Sequence, residues 1–254
     1  MSKAARKHLR LLKQDGIAYE EDYEQPVKLV NNGQQKAFKM RTCVPITDTQ
    51  EQTFAAFDRG DNLLLHGLAG TGKTFISMYL ALREVMEGST YKKVIVMRSV
   101  VPTRDIGFLP GNAKEKSKVY EGPYYAICNE LFGRGDAYDI LKQKNTVEFM
   151  TTSFIRGMTI NNAVVIVDEV NNMTLHELDS IITRLGKNCR IVFCGDFRQS
   201  DLPKEAERRG LVDFMRILEN MKSFTHVEFS QNDIVRSGLV KQYIITKDKL
   251  GIHT

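Results

Sequence analysis

The most diagnostic stretch of this chain is the octapeptide Gly67-Leu68-Ala69-Gly70-Thr71-Gly72-Lys73-Thr74. It follows Leu63-Leu64-Leu65, whose apolar character predicts a buried strand, and it precedes residues 75–85, which are apolar at helical spacing. Glycines let successive backbone N–H groups surround an anion, and the helix that follows directs its positive end at the same place. The octapeptide therefore predicts a phosphate-binding loop between a strand and a helix.

Two side chains of the octapeptide are predicted to contact a nucleotide. Lys73 is expected to reach the β- and γ-phosphates of ATP, and the Thr74 hydroxyl is expected to hold Mg²⁺. The other predicted cofactor contacts come from the loop itself, at Gly67, Leu68, Ala69, Gly70, Thr71 and Gly72. ATP and Mg²⁺ are thus the predicted cofactors.

A second chemical element is the stretch Val164-Val165-Ile166-Val167-Asp168-Glu169. Its four β-branched residues predict a buried strand that delivers two carboxylates to the sheet edge where the phosphate-binding loop lies. Asp168 is suited to hold hydrated magnesium, and Glu169 could polarise an attacking water. The glutamate favours NTP hydrolysis over kinase chemistry, because a kinase needs no activated water.

A third strand, at residues 191–194, leads into a polar loop that ends at Pro203. Gln199 in this loop could hydrogen-bond the γ-phosphate or the attacking water, and so distinguish ATP from ADP. Taken alone, the pattern also fits an ordinary strand followed by a turn.

Strands and helices alternate along most of the chain. Beyond the phosphate-binding loop, strands are predicted at residues 94–98, 147–150, 164–167, 191–194 and 226–229. Helices are predicted before about residue 132, at 175–185 and at 211–221. This alternation predicts an α/β domain with a mostly parallel sheet and helices on both faces.

The composition fits a single soluble domain. With 254 residues, 42% of them hydrophobic, the chain can bury a core without metals or disulfides. We expect a basic and polar extension at residues 1–44 and one domain at residues 45–254. No stretch approaches the roughly 20 apolar residues of a membrane span, and the N-terminus lacks the pattern of a signal peptide, which predicts a cytoplasmic protein without a membrane partner. The cysteines are expected to be buried free thiols.

The net charge of +5 is too small to identify a nucleic-acid partner by itself. The cations of residues 3–13 fit either a basic arm that touches phosphates or a solvated helix. Farther along, lysines precede tyrosines at Lys114, Lys116, Lys118, Tyr120, Tyr124 and Tyr125. Such a set could grip a single strand by phosphate contact and stacking, whereas a helix with a wet basic face and buried tyrosines explains the same residues.

Together these motifs resemble those of the PhoH-like ATPases, relatives of the superfamily-one helicase motor core. The resemblance includes the phosphate-binding loop, the acidic strand and Gly195-Asp196-x-x-Gln199-x-Asp201-Leu202-Pro203. It extends to Gly107-Phe108-Leu109-Pro110-Gly111, Phe154-Ile155-Arg156-Gly157-Met158-Thr159 and Asp233-Ile234-Val235-Arg236. The likeness covers about residues 45–243 and implies a RecA-like, ATP-binding P-loop fold.

The resemblance also implies roles for residues outside these core motifs. Thr47 and Gln50 stand where a helicase-type motif contacts adenine, although Gln50 also fits a solvated helix position. Arg98 is expected near nucleotide or nucleic acid, or else as a salt-bridge partner at a strand end. Arg236 is expected to be a finger or sensor arginine, or else a surface cation. Arg156 could contact nucleic acid or simply stabilise the sheet edge. The candidate nucleic-acid contacts are Arg98, Lys114, Lys116 and Arg156.

Departures from the family pattern limit what the resemblance implies. Met97-Arg98-Ser99 stands where many members have Thr-Arg-Pro, which leaves the arginine in place and weakens any role for its neighbours. Ribonuclease-linked relatives carry a PIN domain before the ATPase, and residues 1–44 are too few for one, so we expect no nuclease activity.

The length of the predicted domain implies an oligomer. A superfamily-one helicase closes its ATP site between two RecA-like domains, whereas residues 45–254 suffice for one. We therefore expect subunits to assemble head to tail into a ring, taken to be a hexamer. In such a ring Arg236 or another arginine would complete the site of a neighbouring subunit.

The predicted activity is hydrolysis of ATP by water, with Lys73, Asp168, Glu169, Gln199 and Arg236 as catalytic residues. The chain is expected to work as a helicase-like motor on single-stranded nucleic acid, RNA more than DNA. A non-motor ATP-dependent switch that controls a partner protein remains an alternative. A small-molecule P-loop kinase is a weaker alternative, because no lid segment is visible in the sequence.

Overall fold

The structure is a computed structural model that describes residues 28–30, 38–88, 90–99, 113–197, 202 and 204–252. Its strands are β1 (Lys28–Val30), β2 (Thr42–Val44), β3 (Asn62–Gly67), β4 (Lys93–Arg98), β5 (Val147–Thr151), β6 (Ala163–Asp168), β7 (Cys189–Gly195) and β8 (Phe224–Phe229). Its helices are α1 (Asp48–Asp58), α2 (Lys73–Glu87), α3 (Ala113–Phe132), α4 (Ala137–Gln143), α5 (Leu175–Ile182), α6 (Glu205–Glu219) and α7 (Gly238–Lys249). Short 3₁₀ turns lie at Thr152–Phe154, Val170–Asn172 and Gln231–Asp233.

Within the described residues, six strands form one sheet in the order β5-β4-β6-β7-β3-β8. Every neighbouring pair in this sheet is parallel. The carboxyl ends of β3, β4, β6 and β7 therefore meet at one edge. The sequence places the phosphate-binding loop, Arg98, the acidic pair and the loop after Gly195 at these same strand ends. The fold is the predicted RecA-like α/β P-loop fold, and that prediction is confirmed.

Helices cover both faces of the sheet. Alternate residues of each buried strand point to opposite sides, so both faces are apolar and both pack against helices. On one face, α1 to α4 pack against residues such as Leu65, Val96 and Ile166. On the other face, α5 and α6 pack against residues such as Leu64 and Val165. All six residues of β6 are buried, as the run of β-branched side chains predicts.

Several helices differ from the sequence expectation. The short helix α4, Ala137–Gln143, was not predicted, since seven residues offer too little apolar periodicity to recognise. Helix α6 begins at Glu205, six residues before the predicted start, because its first turns are charged and carry no apolar repeat. Helix α5 ends at Ile182 and not at residue 185.

Residues 38–44 pack onto the domain. Phe38 stacks on Phe132 of α3 with ring centroids 4.4 Å apart, and the Arg41 amide donates to the Leu131 carbonyl at 2.8 Å. Cys43 of β2 is buried. The division at residues 44 and 45 stays a prediction, but the last part of the proposed extension is joined to the domain by these contacts.

The expectation of buried free thiols is met by three of the four cysteines, since Cys189 is only partly buried. All four cysteines are free thiols, and three of them are buried. Burial raises the pKa of the Cys128 thiol to about 12. Among the described helices, none combines the length and the apolar character that crossing a lipid bilayer requires.

Candidate nucleotide site

The loop between β3 and α2 has the backbone geometry that its glycines permit. Gly67, Gly70 and Gly72 all have positive φ, at 116°, 75° and 85°. At Gly67 a Cβ would lie 2.0 Å from the carbonyl oxygen of Phe229, so any side chain there would collide with the backbone of β8. Glycine is therefore required at this turn by conformation and by space.

Lys73 lies buried at the start of α2 and is held by the loop. Its Nζ donates to the carbonyl oxygens of Gly67 at 2.8 Å and Leu68 at 2.7 Å, and to Thr71 Oγ1 at 3.2 Å. Burial lowers the pKa of Lys73, while the negative charge of Asp196 is the largest of the effects that oppose this shift. A buried cation that is bonded mainly to neutral carbonyls is suited to bind an anion.

Thr74 and Asp168 meet at the carboxyl ends of β3 and β6. The Thr74 hydroxyl donates a 2.8 Å hydrogen bond to Asp168 Oδ1 across 94 residues of sequence. Asp168 is 5% exposed, so its carboxylate is shielded from bulk water. The structure thus brings together the two residues that the sequence predicts as magnesium ligands.

Glu169 turns the chain out of the sheet. It is one of the non-glycine residues with positive φ, at 53°, and it precedes the 3₁₀ turn Val170–Asn172. Its side chain is 44% exposed, and Oε1 lies 3.9 Å from Arg98 Nη2 at the end of β4. A non-glycine residue in this left-handed conformation costs of order 1 kcal/mol and is often found at functional sites. The 3.9 Å contact with Glu169 makes Arg98 an ion-pair partner at the end of β4, and Arg98 also lines the candidate nucleotide site.

Tyr124 of α3 is completely buried and its hydroxyl donates to Asp168 Oδ2 at 2.8 Å. Burial, followed by the charge of Asp168, raises the pKa of Tyr124 well above its ordinary value, so the hydroxyl remains a donor. This tyrosine cannot stack on a nucleic-acid base, and the interpretation of Tyr124 as a stacking residue is wrong. The alternative of a buried tyrosine is correct for this residue. Tyr125 bonds to Asp139 through its hydroxyl.

Arg236 lies beside the phosphate-binding loop of its own chain. The neighbouring Val235 amide donates to the Gly70 carbonyl at 3.1 Å, and a Cβ on Gly70 would lie 3.0 Å from Arg236 Cγ. Both residues line the cavity that contains the loop. Arg236 therefore lies where it could contact a nucleotide bound to the loop of the same chain.

Gln50 is buried, which contradicts the alternative of a solvated helix position. Its side-chain Oε1 accepts a 2.9 Å hydrogen bond from the backbone N–H of Ile46. The backbone N–H of Gln50 donates to Thr47 Oγ1 at the N-cap of α1. The side chains of Thr47 and Thr49 at the start of α1 help to lower the pKa of Asp233. Gln50 is not among the described residues that line the cavity, so its contact with adenine stays a prediction.

The cavity has a volume of about 530 Å³ and includes residues that the predicted site lacked. Asp196, at the end of β7, lines it and interacts electrostatically with Lys73. Asn171 also lines it, and its Oδ1 accepts from the Asp196 amide at 3.2 Å. Asp196 belongs to the motif after β7, so its place at a strand end could have marked it. Asn171 carries no sequence signal of this kind.

Other predicted residues lie apart from the cavity or outside the described part of the chain. Arg156 is exposed after the 3₁₀ turn that follows β5, with Nη2 3.0 Å from His176 Nε2, and it does not line the cavity. Gln199 and the stretch 107–111 lie outside the described residues, as do the basic residues 3–13. Lys114 and Lys116 fall in α3, but their side chains are outside the described part of the structure.

The arrangement of side chains fits the predicted cofactors. A hydroxyl and a carboxylate oxygen 2.8 Å apart form the kind of oxygen pair that binds Mg²⁺ with water and phosphate completing its shell. The glycine turns and buried Lys73 fit the phosphates of a nucleotide. Among the described residues no cluster of three or more His, Cys, Asp or Glu side chains could hold a metal by itself.

Comparison with known proteins identifies relatives in sequence. A family model described as PhoH-like protein matches residues 42–247. A PhoH-like protein of Bacillus subtilis (strain 168) is 30% identical over 242 residues, which are 95% of this chain and 73% of that protein. Protein PhoH of Escherichia coli (strain K12) is 32% identical over 250 residues, which cover 94% of this chain and 70% of that protein.

Proteins of known structure that are similar to this chain share less of its sequence. The large terminase of a thermophilic bacteriophage is 14% identical, with a TM-score of 0.47, over 79% of this chain and 50% of that one. The Pif1 helicase from Candida albicans is 17% identical, with a TM-score of 0.39, over 82% of this chain and 44% of that one. The chain thus spans half or less of each of these two proteins.

Proposed function

Because this chain belongs to the PhoH-like family, we propose that it is a P-loop ATPase that hydrolyses ATP to ADP and phosphate. The observation that carries the proposal is the 2.8 Å hydrogen bond between Thr74 and Asp168 beside the buried Lys73. A hydroxyl, a carboxylate and a lysine in this arrangement are the parts that phosphoryl transfer requires around Mg²⁺ and the phosphates.

Each residue of the site has its own role in the proposed reaction. Lys73 turns from the carbonyls of Gly67 and Leu68 to the β- and γ-phosphates, and the loop amides bind the same oxygens. Thr74 and Asp168 hold Mg²⁺, which when bound neutralises charge on the phosphates. Glu169 orients a water for attack, since its side chain is partly exposed at the mouth of the site.

Loss of the γ-phosphate would release the contacts that Gln199 and Arg236 are proposed to make with it. Gln199 is proposed to sense the γ-phosphate, and Arg236 lies close enough to Gly70 to do the same within its own subunit. Since Val235 bonds the Gly70 carbonyl, a change at the loop is passed directly to the segment before α7. This contact also supports the second candidate function, a non-motor switch in which the ATP state controls a partner protein.

We propose further that the ATPase acts on single-stranded nucleic acid, with RNA preferred to DNA. Support comes from the exposed Arg156, which stands with the exposed Phe154 at the edge of the sheet where the nucleotide site lies. Lys114 and Lys116 stay candidate contacts by sequence alone. A head-to-tail ring, taken as a hexamer, remains the proposed assembly, because one RecA-like domain leaves the ATP site open on one side.

The test is steady-state ATP hydrolysis by the wild type, Lys73→Ala and Glu169→Gln, with and without single-stranded RNA or DNA at two salt concentrations. Lys73→Ala should abolish nucleotide binding, whereas Glu169→Gln should bind nucleotide and lose turnover. Lys92→Ala and Glu228→Gln, which change exposed residues of the same types, serve as matched controls and should behave as wild type. Equal loss of binding in both site variants would contradict the assigned roles.

The polymers and the assembly have separate readouts. Stimulation by one polymer that falls with added salt would support a nucleic-acid motor and identify its track. Turnover that no polymer changes would favour the switch. Turnover that requires a small-molecule acceptor would indicate a kinase. A monomer in mass photometry with ATP and Mg²⁺ present would refute the ring.

A further inference from the structure

Asp168 is held from two helices at once. Its Oδ1 accepts from the Thr74 hydroxyl of α2, and its Oδ2 accepts from the Tyr124 hydroxyl of α3, both at 2.8 Å. Tyr124 and Asp168 are separated by 44 residues, and both lie in the interior, with Tyr124 completely inaccessible. The carboxylate is therefore fixed in its plane by one donor on each oxygen.

The position of Tyr124 is not explained by packing alone. The aromatic ring contributes to the core between α3 and the sheet, where it lies 5.7 Å from the Phe149 ring. A phenylalanine would fill the same space. A buried tyrosine hydroxyl requires a partner, and in this protein the partner is the carboxylate that the proposed function assigns to the metal.

A second contact extends this arrangement to the neighbouring glutamate. Arg98 acts on the same hydroxyl, since its charge opposes the rise of the Tyr124 pKa. The guanidinium of Arg98 in turn lies 3.9 Å from Glu169. Arg98 is thus an electrostatic neighbour of both Tyr124 and Glu169, and it connects the proposed metal ligands to the proposed water activator.

We propose that Tyr124 is a positioning residue that holds the Asp168 carboxylate in the orientation in which it binds the magnesium–nucleotide complex. This inference rests on the proposed function, since it concerns the same site. Partners that orient a metal-binding group from outside contribute about 10- to 100-fold to metal affinity in other proteins. The phosphates themselves are bound by the loop and Lys73, so nucleotide binding without Mg²⁺ should not depend on Tyr124.

The experiment uses a fluorescent, non-hydrolysable ATP analogue and the whole chain. Its affinity is measured by fluorescence anisotropy across a titration of MgCl₂ for the wild type, Tyr124→Phe and Tyr138→Phe. Tyr138 is the matched control, because it is 1% exposed and its hydroxyl donates an equally short bond of 2.8 Å to the Glu121 carboxylate. Both substitutions delete one buried tyrosine-to-carboxylate hydrogen bond, but only the first touches the nucleotide site.

For Tyr124→Phe, the Mg²⁺ concentration that gives half of the affinity gain should rise about tenfold, while Tyr138→Phe should match the wild type. Affinity without Mg²⁺ should stay within about twofold in all three proteins. Arg98→Met, which removes the positive charge that acts on Tyr124, should raise the midpoint about threefold and provides a second test if Tyr124→Phe fails to fold.

An unchanged Mg²⁺ midpoint in Tyr124→Phe would overturn the inference, as would an equal shift in Tyr138→Phe, which would make the effect one of core stability. A wild-type protein that binds no analogue would refute the proposed function together with the inference. Normal wild-type binding with an unchanged Tyr124→Phe midpoint would refute the inference alone.

Discussion

Asp233 lies in the turn just before Arg236, next to the start of helix α1. Replacing Asp233 should therefore weaken both the fold and the nucleotide site. Asp233 is 2% exposed, and its Oδ2 accepts from the Ser230 amide at 2.8 Å and from Ser230 Oγ at 3.0 Å. The side chains of Thr47 and Thr49 also act on Asp233 and help to lower its pKa. Two residues later, the Val235 amide bonds the Gly70 carbonyl of the phosphate-binding loop.

The magnitude follows from the donors that lose their acceptor. A hydrogen bond to a charged group contributes about 1.5–3 kcal/mol, and a buried donor left without a partner costs about 1–3 kcal/mol. Because the hydroxyl donors can rotate to other partners, we expect Asp233→Ala to lower the free energy of unfolding by about 3 kcal/mol. Asp233→Asn keeps one acceptor oxygen and should lose roughly half as much.

The effect should depend on pH in a defined direction. Burial by itself raises the pKa of Asp233, but the hydrogen bonds from Ser230, Thr47 and Thr49 outweigh it, so the pKa lies below its ordinary value. A carboxylate with a lowered folded-state pKa stabilises the protein fully above its unfolded-state pKa of about 3.9, and this contribution is lost as the pH falls through the folded-state pKa. The difference between wild type and Asp233→Asn should therefore shrink below about pH 4.

The assay is urea unfolding followed by circular dichroism at pH 7 and at about pH 3, combined with nucleotide binding at pH 7. Asp61→Asn is the control, because Asp61 also accepts from a threonine hydroxyl, that of Thr225 at 2.8 Å, but is more exposed and lies at the opposite sheet edge. It should cost less stability than Asp233→Asn and leave nucleotide affinity unchanged. Equal stability of Asp233→Ala and wild type at pH 7 would refute the reasoning.

Three other predictions concern the phosphate-binding loop, Arg236 and the cysteines. Gly67→Ala should lower the free energy of unfolding by more than about 2 kcal/mol, because its Cβ would lie 2.0 Å from the Phe229 carbonyl oxygen. Gly238→Ala, in open space at the start of α7, should instead change it by less than about 1 kcal/mol; urea unfolding of both variants compares them. If Arg236 acts in its own subunit, mixing Arg236→Ala with Glu169→Gln should restore no ATPase activity in a steady-state assay. Recovered turnover in the mixture would show that Arg236 acts on a neighbouring subunit. In a DTNB assay at pH 8, three of the four thiols should remain unreactive until the protein is unfolded, since they are buried; rapid reaction of two or more in the native protein would contradict this burial.

The amino-acid sequence by itself determined the class of fold and two parts of the site, the phosphate-binding loop and the acidic pair at the end of β6. The glycine spacing of residues 67–74 is a local backbone requirement, so it can be recognised without knowledge of the rest of the chain. The apolar strand that ends in Asp168 and Glu169 is equally local. Since parallel strands present their carboxyl ends at one edge, the meeting of Thr74 with Asp168 followed from these two motifs.

Only the tertiary structure decided which side chains support those motifs. In the sequence, Tyr124 is one of several tyrosines near lysines, with no feature that sets it apart. Its hydrogen bond to Asp168 depends on how α3 packs against the sheet. The location of Arg236 beside its own Gly70 likewise depends on the pairing of β8 with β3. Periodicity and spacing report the conformation of neighbouring residues, whereas contacts across 44 residues or more are set by the packing of whole elements.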